Sequence, residues 1–242
     1  MLKFVTDSTA DLQLNSKKWQ CLYDALSDSE SKQTLTDVLR YKTTGDPRLL
    51  ANYDYRPEQQ YFEEFLAIEK EVFVDGGGYQ GETTIEFIKR YPDYKEILFF
   101  EPDPENIHQA KINLQQNSSI RFFDLGLSDK DEELCFSTGE GSSASFITHS
   151  DEDTQSIQVK PLDQLSKTVT FIKLDLEGWE LNALKGATQL LKHNKPKLAL
   201  GLYHSPEDMN LVFEWLEQQN LGYQYKLRHY TQSWYETVLY AY

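Results

Sequence analysis

EVFVDGGGYQG, residues 71–81, is the stretch that decides the fold of this chain. Residues 72–74 form an apolar run of β-favouring side chains, which predicts a strand buried on both faces. Asp75 ends that strand, and glycines follow it at 76–78 before a helical pattern begins at Thr83. Glycine backbone can bend sharply and approach a ligand, and a helix N-terminus presents N–H groups to it. The order strand, glycine turn, helix therefore predicts a ligand-binding turn.

The second predicted strand indicates an adenosine-containing cofactor. Gly76, Gly78 and Gly81 fit the pattern G-x-G-x-x-G of dinucleotide-binding turns. Residues 97–100, ILFF, then run straight into Glu101. A carboxylate at the tip of the second strand can accept hydrogen bonds from both hydroxyls of an adenosine ribose. We therefore expect Glu101 to hold the ribose.

The charges around the turn favour S-adenosylmethionine over NAD. NAD would place a pyrophosphate over a turn flanked by Asp75 and Glu82, and both carboxylates would repel it. S-adenosylmethionine has no phosphate, and its ammonium and sulfonium groups would be attracted by Asp75. A third strand is predicted at residues 120–124, and the turn after it lies where an adenine ring would sit. Asp124 is interpreted either as an acceptor for the adenine amino group or as a solvated acid.

A second candidate stretch is TFIKLDLEGWE, residues 170–180. An apolar strand ends there near Asp175, and Glu177 and Glu180 add two further acids at the edge where open α/β sheets bind ligands. Three close carboxylates are costly unless a cation, a shared proton or a ligand compensates. The next predicted strand ends at His204, which is interpreted either as structural or as functional.

The first 70 residues predict a helical extension in front of the cofactor-binding domain, residues 71–242. Apolar residues recur at helical spacing from Trp19 and again from Leu35, and a third helix is predicted to start at Gln60. The extension is interpreted either as a cap on the sheet edge or as a lid over the cofactor. The lid reading has three candidate contact residues, which are Tyr53, Tyr55 and Gln60.

Two further regions complete the predicted fold. Residues 130–168 give two weak strand patterns, a polar loop GEGSSAS at 139–145 and one helical turn at 161–165. This segment either covers the substrate or only connects strands. Alternating residues at 223–227 and 238–242 predict an antiparallel pair, which distinguishes the chain from the plain dinucleotide-binding fold.

Composition restricts the partners. The net charge is −15, and no stretch gathers lysines and arginines, which argues against nucleic acid or an anionic membrane as the main partner. We expect no signal peptide and no membrane span, because the N-terminal region offers no apolar stretch for either. Cys21 and Cys135 lack metal-ligand spacing, so a reduced, cytoplasmic protein is expected, with one disulfide as the alternative.

Several stretches together resemble the FkbM family of S-adenosylmethionine-dependent methyltransferases. The resemblance covers about residues 61–242, and the block IKLDLEGWE is its most specific part. It implies an α/β class I methyltransferase fold, Rossmann-like, whose seven-stranded and mostly parallel sheet ends in an antiparallel C-terminal hairpin. It also implies O-methylation of a hydroxyl on a sugar, a glycan or a secondary metabolite. The stretches that carry the resemblance are VDGGGYQGETTIEF, FFEPDPEN, FIKLDLEGWELNALKGA, LGLYH and LRHY…ETVLYAY.

The resemblance assigns roles to residues of this sequence. Glu101 takes the ribose position and Asp175 faces the transferred methyl group. Glu177 stands beside Asp175, and His204 takes the tip after the fifth strand. The cofactor-binding set is Asp75, Gly77, Gly78, Gly81, Glu101 and Asp124, in which Gly78 replaces the alanine that is commoner in the family.

Two versions of the chemistry follow from these assignments. In the first, His204 is the general base and Asp175 orients it or the acceptor. In the second, Asp175 with Glu177 or His204 holds a divalent cation such as magnesium. The expected acceptor is a small molecule or a carbohydrate, and a homodimer is considered. The alternatives are an NAD-dependent oxidoreductase and a non-catalytic module that keeps the cofactor for stability.

Overall fold

The computed structural model describes residues 2–137, 145–147 and 154–242. Short 3₁₀ helices cover Pro47–Leu49 and Glu64–Leu66. The α-helices are α1 (Leu2–Leu14), α2 (Ser16–Ala25), α3 (Ser29–Thr44), α4 (Glu82–Arg90), α5 (Pro104–Asn113), α6 (Leu162–Leu165), α7 (Glu180–Lys185), α8 (Thr188–Asn194) and α9 (Asp208–Gln218). The strands are β1 (Val72–Gly76), β2 (Glu96–Phe100), β3 (Ile120–Phe123), β4 (Gly126–Leu127), β5 (Glu132–Ser137), β6 (Ser145–Ile147), β7 (Thr154–Lys160), β8 (Phe171–Leu174), β9 (Lys197–Gly201), β10 (Tyr225–His229) and β11 (Thr237–Ala241).

The main sheet has seven strands in the order β10-β11-β9-β8-β1-β2-β3. β1 pairs in parallel with β2 and β8, and β2 pairs in parallel with β3. β11 runs antiparallel to both β9 and β10. The predicted fold class is therefore confirmed, including the Rossmann-like, mostly parallel sheet and the antiparallel C-terminal hairpin.

The chain divides into two compact units. We call Met1–Glu63 with Leu198–Tyr242 the terminal unit, and Glu64–Lys197 the central unit. The central unit holds the glycine turn and the acidic turn. The division into an extension up to residue 70 and a cofactor-binding domain stays a prediction.

Aromatic packing fixes α4 on the central strands. All of β1 is buried, as its apolar sequence predicts. The ring of Phe73 stacks on that of Phe87 from α4 at a centroid distance of 4.2 Å and lies 5.0 Å from that of Phe171 in β8. Burying such large rings supplies much of the hydrophobic stabilisation of a domain core. The start of α4, and with it the glycine turn, is therefore held against β1.

The structure confirms the predicted strands and the helical turn between residues 130 and 168, and it adds a second sheet. This sheet has the order β4-β7-β5-β6, with β5 antiparallel to β6 and β7. The helical turn is α6. Residues 139–144 of the predicted polar loop lie outside the described residues, and Ser145 begins β6.

Two of the three helices predicted in the first 70 residues are confirmed, and the third is wrong. α2 buries Trp19, and α3 ends at Gly45, which adopts the left-handed conformation with φ 69°. The predicted helix from Gln60 is wrong, because left-handed backbone at Tyr61 (φ 71°) and Ala67 (φ 45°) interrupts it. Only a short 3₁₀ helix forms between these two residues.

Two simpler expectations can be compared with the structure. Cys21 and Cys135 are both free cysteines. Within the part of the chain that the structure describes, no helix combines the length and the apolar character that a bilayer crossing requires. A cytoplasmic location stays a prediction.

Candidate active site

The glycine turn has no room for a side chain at Gly77 or Gly78. Gly77 has φ +71°, and a Cβ on it would lie 2.0 Å from the carbonyl oxygen of Asp175. A Cβ on Gly78 would lie 2.3 Å from the ring of Phe99. The N–H groups of both glycines donate to the carbonyl oxygen of Phe100, at 3.1 and 3.0 Å. The turn is therefore packed against the ends of β2 and β8, and the glycines are required by space as well as by conformation.

The structure brings Glu101 to this turn. Its side chain is buried, and one carboxylate oxygen accepts the N–H of Tyr79 while the other accepts that of Asp103, both at 2.9 Å. Burial raises the pKa of Glu101 to about 7, although the two backbone N–H groups act in the opposite direction. The Tyr79 contact ties the tip of β2 to the glycine turn.

Asp75 is buried beneath the turn and is neutralised by a residue that the sequence analysis missed. Its side chain is 0% exposed and lies 3.0 Å from the ammonium of Lys173, which is itself only 3% exposed. This contact is an ion pair, and the Asp75 oxygen that makes it accepts no hydrogen bond from the described residues. The other Asp75 oxygen accepts the hydroxyl of Thr84 at 2.7 Å. The missed signal is the lone lysine inside the apolar strand FIKL, because a charge buried on such a strand requires a partner.

The acidic turn after β8 is built differently from the predicted crowd of three acids. Glu180 is 1% exposed and accepts the N–H groups of Leu176 at 2.6 Å and Gly178 at 3.4 Å, so its carboxylate shapes the turn. Asp175 is half-buried, and its N–H donates to the carbonyl oxygen of Gly76 at 3.2 Å. Glu177 is half-buried and left-handed, with φ 55°. The turn thus presents Asp175 beside the glycine turn, as expected from the sheet edge.

The proximity of two carboxylates in this turn does not strengthen the magnesium version. Oxygens of Asp175 and Glu180 lie within 4.8 Å of each other. One oxygen of Glu180 already accepts two backbone N–H groups. Magnesium requires several oxygen ligands in octahedral geometry, and a carboxylate committed to backbone amides is a poor ligand for it. Magnesium therefore stays a prediction.

Asp124 lies at the mouth of a cavity beside Glu101. Its side chain is 62% exposed and forms an ion pair with Lys111 at 2.9 Å. The cavity has a volume of about 370 Å³, and Pro102, Ile107 and Ile157 contribute to its lining together with Asp124. A cavity with mixed polar and apolar lining and an exposed acid at its edge is compatible with both interpretations of Asp124, as an adenine acceptor and as a solvated acid.

Gly81 precedes α4 as its N-cap, in left-handed conformation with φ +97°.

The other predicted site residues belong to the terminal unit. His204 follows β9, is half-buried, and its ring lies 4.1 Å from that of Tyr203. Gln60 is buried and donates to Glu236, whereas Tyr55 is 69% exposed. Tyr53 lies edge-on to the ring of His229 at 5.0 Å. Their roles at the cofactor or the acceptor stay predictions.

Comparison with known proteins identifies the family. The family model described as the methyltransferase FkbM domain matches residues 75–225, well over half of the chain. The crystal structure of methyltransferase FkbM from Methylobacillus flagellatus KT superposes with a TM-score of 0.85 at 29% identity. The match covers 98% of this chain and 61% of that chain, so this chain spans about three fifths of its relative.

Other solved structures are more distant. Aeropyrum pernix fibrillarin, solved with natively bound S-adenosyl-L-methionine, has a TM-score of 0.45 at 10% identity, over 72% of this chain and 67% of that one. Precorrin-6y C5,15-methyltransferase from Geobacter metallireducens GS-15 has a TM-score of 0.45 at 12% identity, over 78% and 93%. Both are too distant to bear on function, and a search of curated proteins found no match. The family model, which begins at Asp75 and includes both turns, shows that this chain belongs to the FkbM methyltransferase family.

Proposed function

We propose that the chain transfers a methyl group from S-adenosylmethionine to a hydroxyl oxygen of a sugar, a glycan or a secondary metabolite. The observation that carries this proposal is the buried carboxylate of Glu101, which the N–H of Tyr79 fixes beside the three consecutive glycines 76–78. A carboxylate held in this way suits the two hydroxyls of an adenosine ribose.

The cofactor fits the residues around Glu101. Gly77 and Gly78 pack the turn closely against Asp175 and Phe99. Since neither glycine carries a side chain, a cofactor can approach the backbone there. The cavity that begins at Pro102, directly after Glu101, offers Ile107 and Ile157 as apolar contacts for an adenine ring and Asp124 as an acceptor among its polar lining residues. When it is bound, S-adenosylmethionine supplies an electrophilic methyl group on a sulfonium.

The choice of S-adenosylmethionine over NAD rests on different charges from those that the sequence suggested. Lys173 compensates the charge of Asp75, so Asp75 contributes less repulsion towards a pyrophosphate than its charge alone would imply. Acidic residues still follow the two strands beside β1, with Glu101 after β2 and Asp175 and Glu177 after β8. A cationic cofactor is favoured over one with two phosphates in such surroundings.

Asp175 and His204 are the residues that we assign to the acceptor. Methyl transfer requires the acceptor oxygen in line with the sulfonium and requires removal of its proton. Asp175 is half-buried beside the glycine turn, where a carboxylate can accept a hydrogen bond from a hydroxyl and orient it. His204 is our candidate for the general base, because an imidazole titrates near neutral pH.

The test is a transfer assay with labelled S-adenosylmethionine and a panel of sugar and polyketide hydroxyls, read as labelled product and S-adenosylhomocysteine. Asp175→Asn and His204→Ala are each expected to lower turnover by about 10²–10⁴-fold. Asp93→Asn and His193→Ala, which change exposed residues, are the matched controls.

The outcomes separate the alternatives. Wild-type turnover in both site variants would mean that the active site lies elsewhere. Loss of activity on chelation, restored by magnesium, would favour the metal version. Tighter binding of NAD than of S-adenosylmethionine would favour an oxidoreductase. Cofactor binding without transfer to any acceptor of the panel would favour a binding module.

A further inference from the structure

Lys173 is the most deeply buried cation near the proposed cofactor turn, and the mechanism above gives it no task. Its side chain is 3% exposed, in the middle of β8. Its ammonium donates to the carbonyl oxygen of Gly77 at 2.7 Å and to that of Gly76 at 3.1 Å, and it lies 3.0 Å from Asp75. Two of its N–H donors thus bond the carbonyl oxygens of the turn, and Asp75 supplies the counter-charge.

Electrostatics keeps this lysine charged. Burial alone lowers the pKa of an amine, but the carboxylates of Asp75 and Asp175 outweigh that effect, and the pKa of Lys173 is raised. The register pairs Asp75 directly with Lys173 across β1 and β8. A buried ammonium next to two peptide carbonyls holds their oxygens towards itself, because turning either one away would leave an N–H without an acceptor.

The direction of these two carbonyls sets the shape of the turn. With the carbonyl oxygens of Gly76 and Gly77 held by Lys173, the N–H groups of Gly77 and Gly78 are directed to the carbonyl oxygen of Phe100 on the other side of β1. The hydroxyl of Thr84 donates a hydrogen bond to the other oxygen of Asp75, which links the Asp75–Lys173 pair to α4. One ammonium thus connects β8, the end of β1 and the turn.

We infer that Lys173 is a positioning residue of the glycine turn, which it holds in the cofactor-accepting conformation before any cofactor binds. The part of this inference that concerns the cofactor rests on the proposed function. The part that concerns the conformation of the turn does not.

The test uses a pair of neutral double variants. Lys173→Met alone would leave Asp75 charged and buried, so Asp75→Asn is combined with it to keep the interior neutral. The matched control is Glu71→Gln with Lys197→Met, because Lys197 contacts Glu71 at 2.5 Å just before β1, at its other end. Both double variants remove one lysine–carboxylate pair from an end of the same strand.

The first readout is amide hydrogen exchange over residues 72–81 without ligand, under conditions in which both variants are folded. Loss of the two carbonyl contacts is expected to speed exchange of the Gly77 and Gly78 amides at least about tenfold in the Asp75/Lys173 variant, since about 1.4 kcal/mol corresponds to tenfold. The control is expected to match the wild type there. Wild-type exchange in the Asp75/Lys173 variant would overturn the inference.

The second readout is cofactor binding by calorimetry together with steady-state kinetics. The Asp75/Lys173 variant is expected to bind S-adenosylmethionine at least about tenfold more weakly, with kcat at saturating cofactor changed less than about twofold. A purely structural lysine would instead give wild-type affinity once the variant is folded. If the wild type itself does not bind S-adenosylmethionine, the proposed function fails, whereas the exchange result still decides the role of Lys173.

A third measurement needs no variant, so the inference stays testable if the double variant does not fold. In the wild type, the ¹⁵Nζ signal of Lys173 is expected to show a slowly exchanging ammonium with through-hydrogen-bond coupling to the carbonyl carbons of Gly76 and Gly77. An ammonium signal that exchanges as fast as those of exposed lysines would overturn the inference.

Discussion

The two ends of β1 carry the same kind of ion pair in different surroundings. At the carboxyl end, Asp75 and Lys173 are 0% and 3% exposed. At the amino end, Glu71 is 3% exposed, but the side chain of its partner Lys197 is 25% exposed and also donates to the carbonyl oxygen of Ala67 at 2.8 Å. One lysine is enclosed by protein, and the other reaches water.

This difference shows which feature distinguishes the carboxyl end of the parallel strands from their amino end. Left-handed backbone does not distinguish the two ends. It occurs at Tyr79 and Glu177 on the carboxyl side and at Lys70 and Lys195 on the amino side. Buried carboxylates do distinguish them: among the described residues, Asp75, Glu101 and Glu180 lie at the carboxyl end, whereas next to β1 at the amino end only Glu71 is buried. Strain alone is a weak marker of a site, whereas a cluster of buried charge has to be compensated.

The largest effect is expected when each lysine is replaced singly. Lys173→Met is expected to lower the free energy of unfolding by about 3–5 kcal/mol, because it leaves a fully buried carboxylate without its cation. Lys197→Met is expected to cost only about 1–2 kcal/mol, since Glu71 still accepts the N–H of Glu69 at 3.1 Å and water can replace the ammonium. Urea unfolding measures both values. Equal losses would remove the distinction between the two ends.

The glycine turn can be compared with a glycine that has the same conformation and open space. Gly77→Ala is expected to destabilise by about 2–4 kcal/mol, because φ is +71° and the new Cβ would collide with the carbonyl oxygen of Asp175. Gly222→Ala has φ +65° with no atom within 4 Å of its Cβ, so only about 1 kcal/mol of backbone strain is expected. Thermal unfolding distinguishes the two. A loss at Gly77 no larger than that at Gly222 would mean that close packing does not constrain the turn.

The third prediction compares the two ends of β2. Glu101→Ala is expected to weaken binding of S-adenosylmethionine by roughly 1.5–3 kcal/mol, because it removes a charged acceptor of the ribose hydroxyls. Glu96→Ala is the control, since Glu96 begins β2 and lies 3.6 Å from Arg121. Calorimetry on both variants measures the difference. Unchanged affinity in Glu101→Ala would overturn the assignment of Glu101.

The smallest effect is a dependence of nucleoside binding on pH. Burial raises the pKa of Glu101 to about 7, and the ionised form is the one that accepts two ribose hydroxyls. Binding should therefore strengthen as the pH rises through 7, by about tenfold between pH 6 and pH 8. 5′-Methylthioadenosine is the suitable probe, because it has no group that titrates in this interval. Glu101→Gln should abolish the dependence, and a flat wild-type profile would contradict the raised pKa.

Local chemistry explains what the sequence predicted correctly. The glycine turn and the C-terminal hairpin each depend on residues close together in the chain, and the structure contains both. The placement of Glu101 beside the turn follows from the rule that parallel strands end at one sheet edge.

Long-range pairing explains what the sequence did not predict. Lys173 gains its role only from the register that sets it beside Asp75, nearly a hundred residues earlier. Glu180 was grouped with the other acids, because a pattern cannot tell whether a carboxylate faces a ligand or the backbone of its own turn. The helix predicted from Gln60 failed for a similar reason. Tyr61 is left-handed, and its N–H donates to the hydroxyl of Tyr240, far along the chain, instead of to a helical carbonyl.

The two backbone N–H groups on Glu101 also determine which sugars it can distinguish. A carboxylate has four lone pairs, and among the described residues Tyr79 and Asp103 occupy one on each oxygen. One acceptor position per oxygen is then left, at a spacing that suits two neighbouring hydroxyls on a ring. A 2′-deoxynucleoside would fill only one of them and leave the other unmatched in a buried place. The chain would thus select ribose over deoxyribose because deoxyribose leaves one acceptor position of Glu101 without a hydrogen-bond donor.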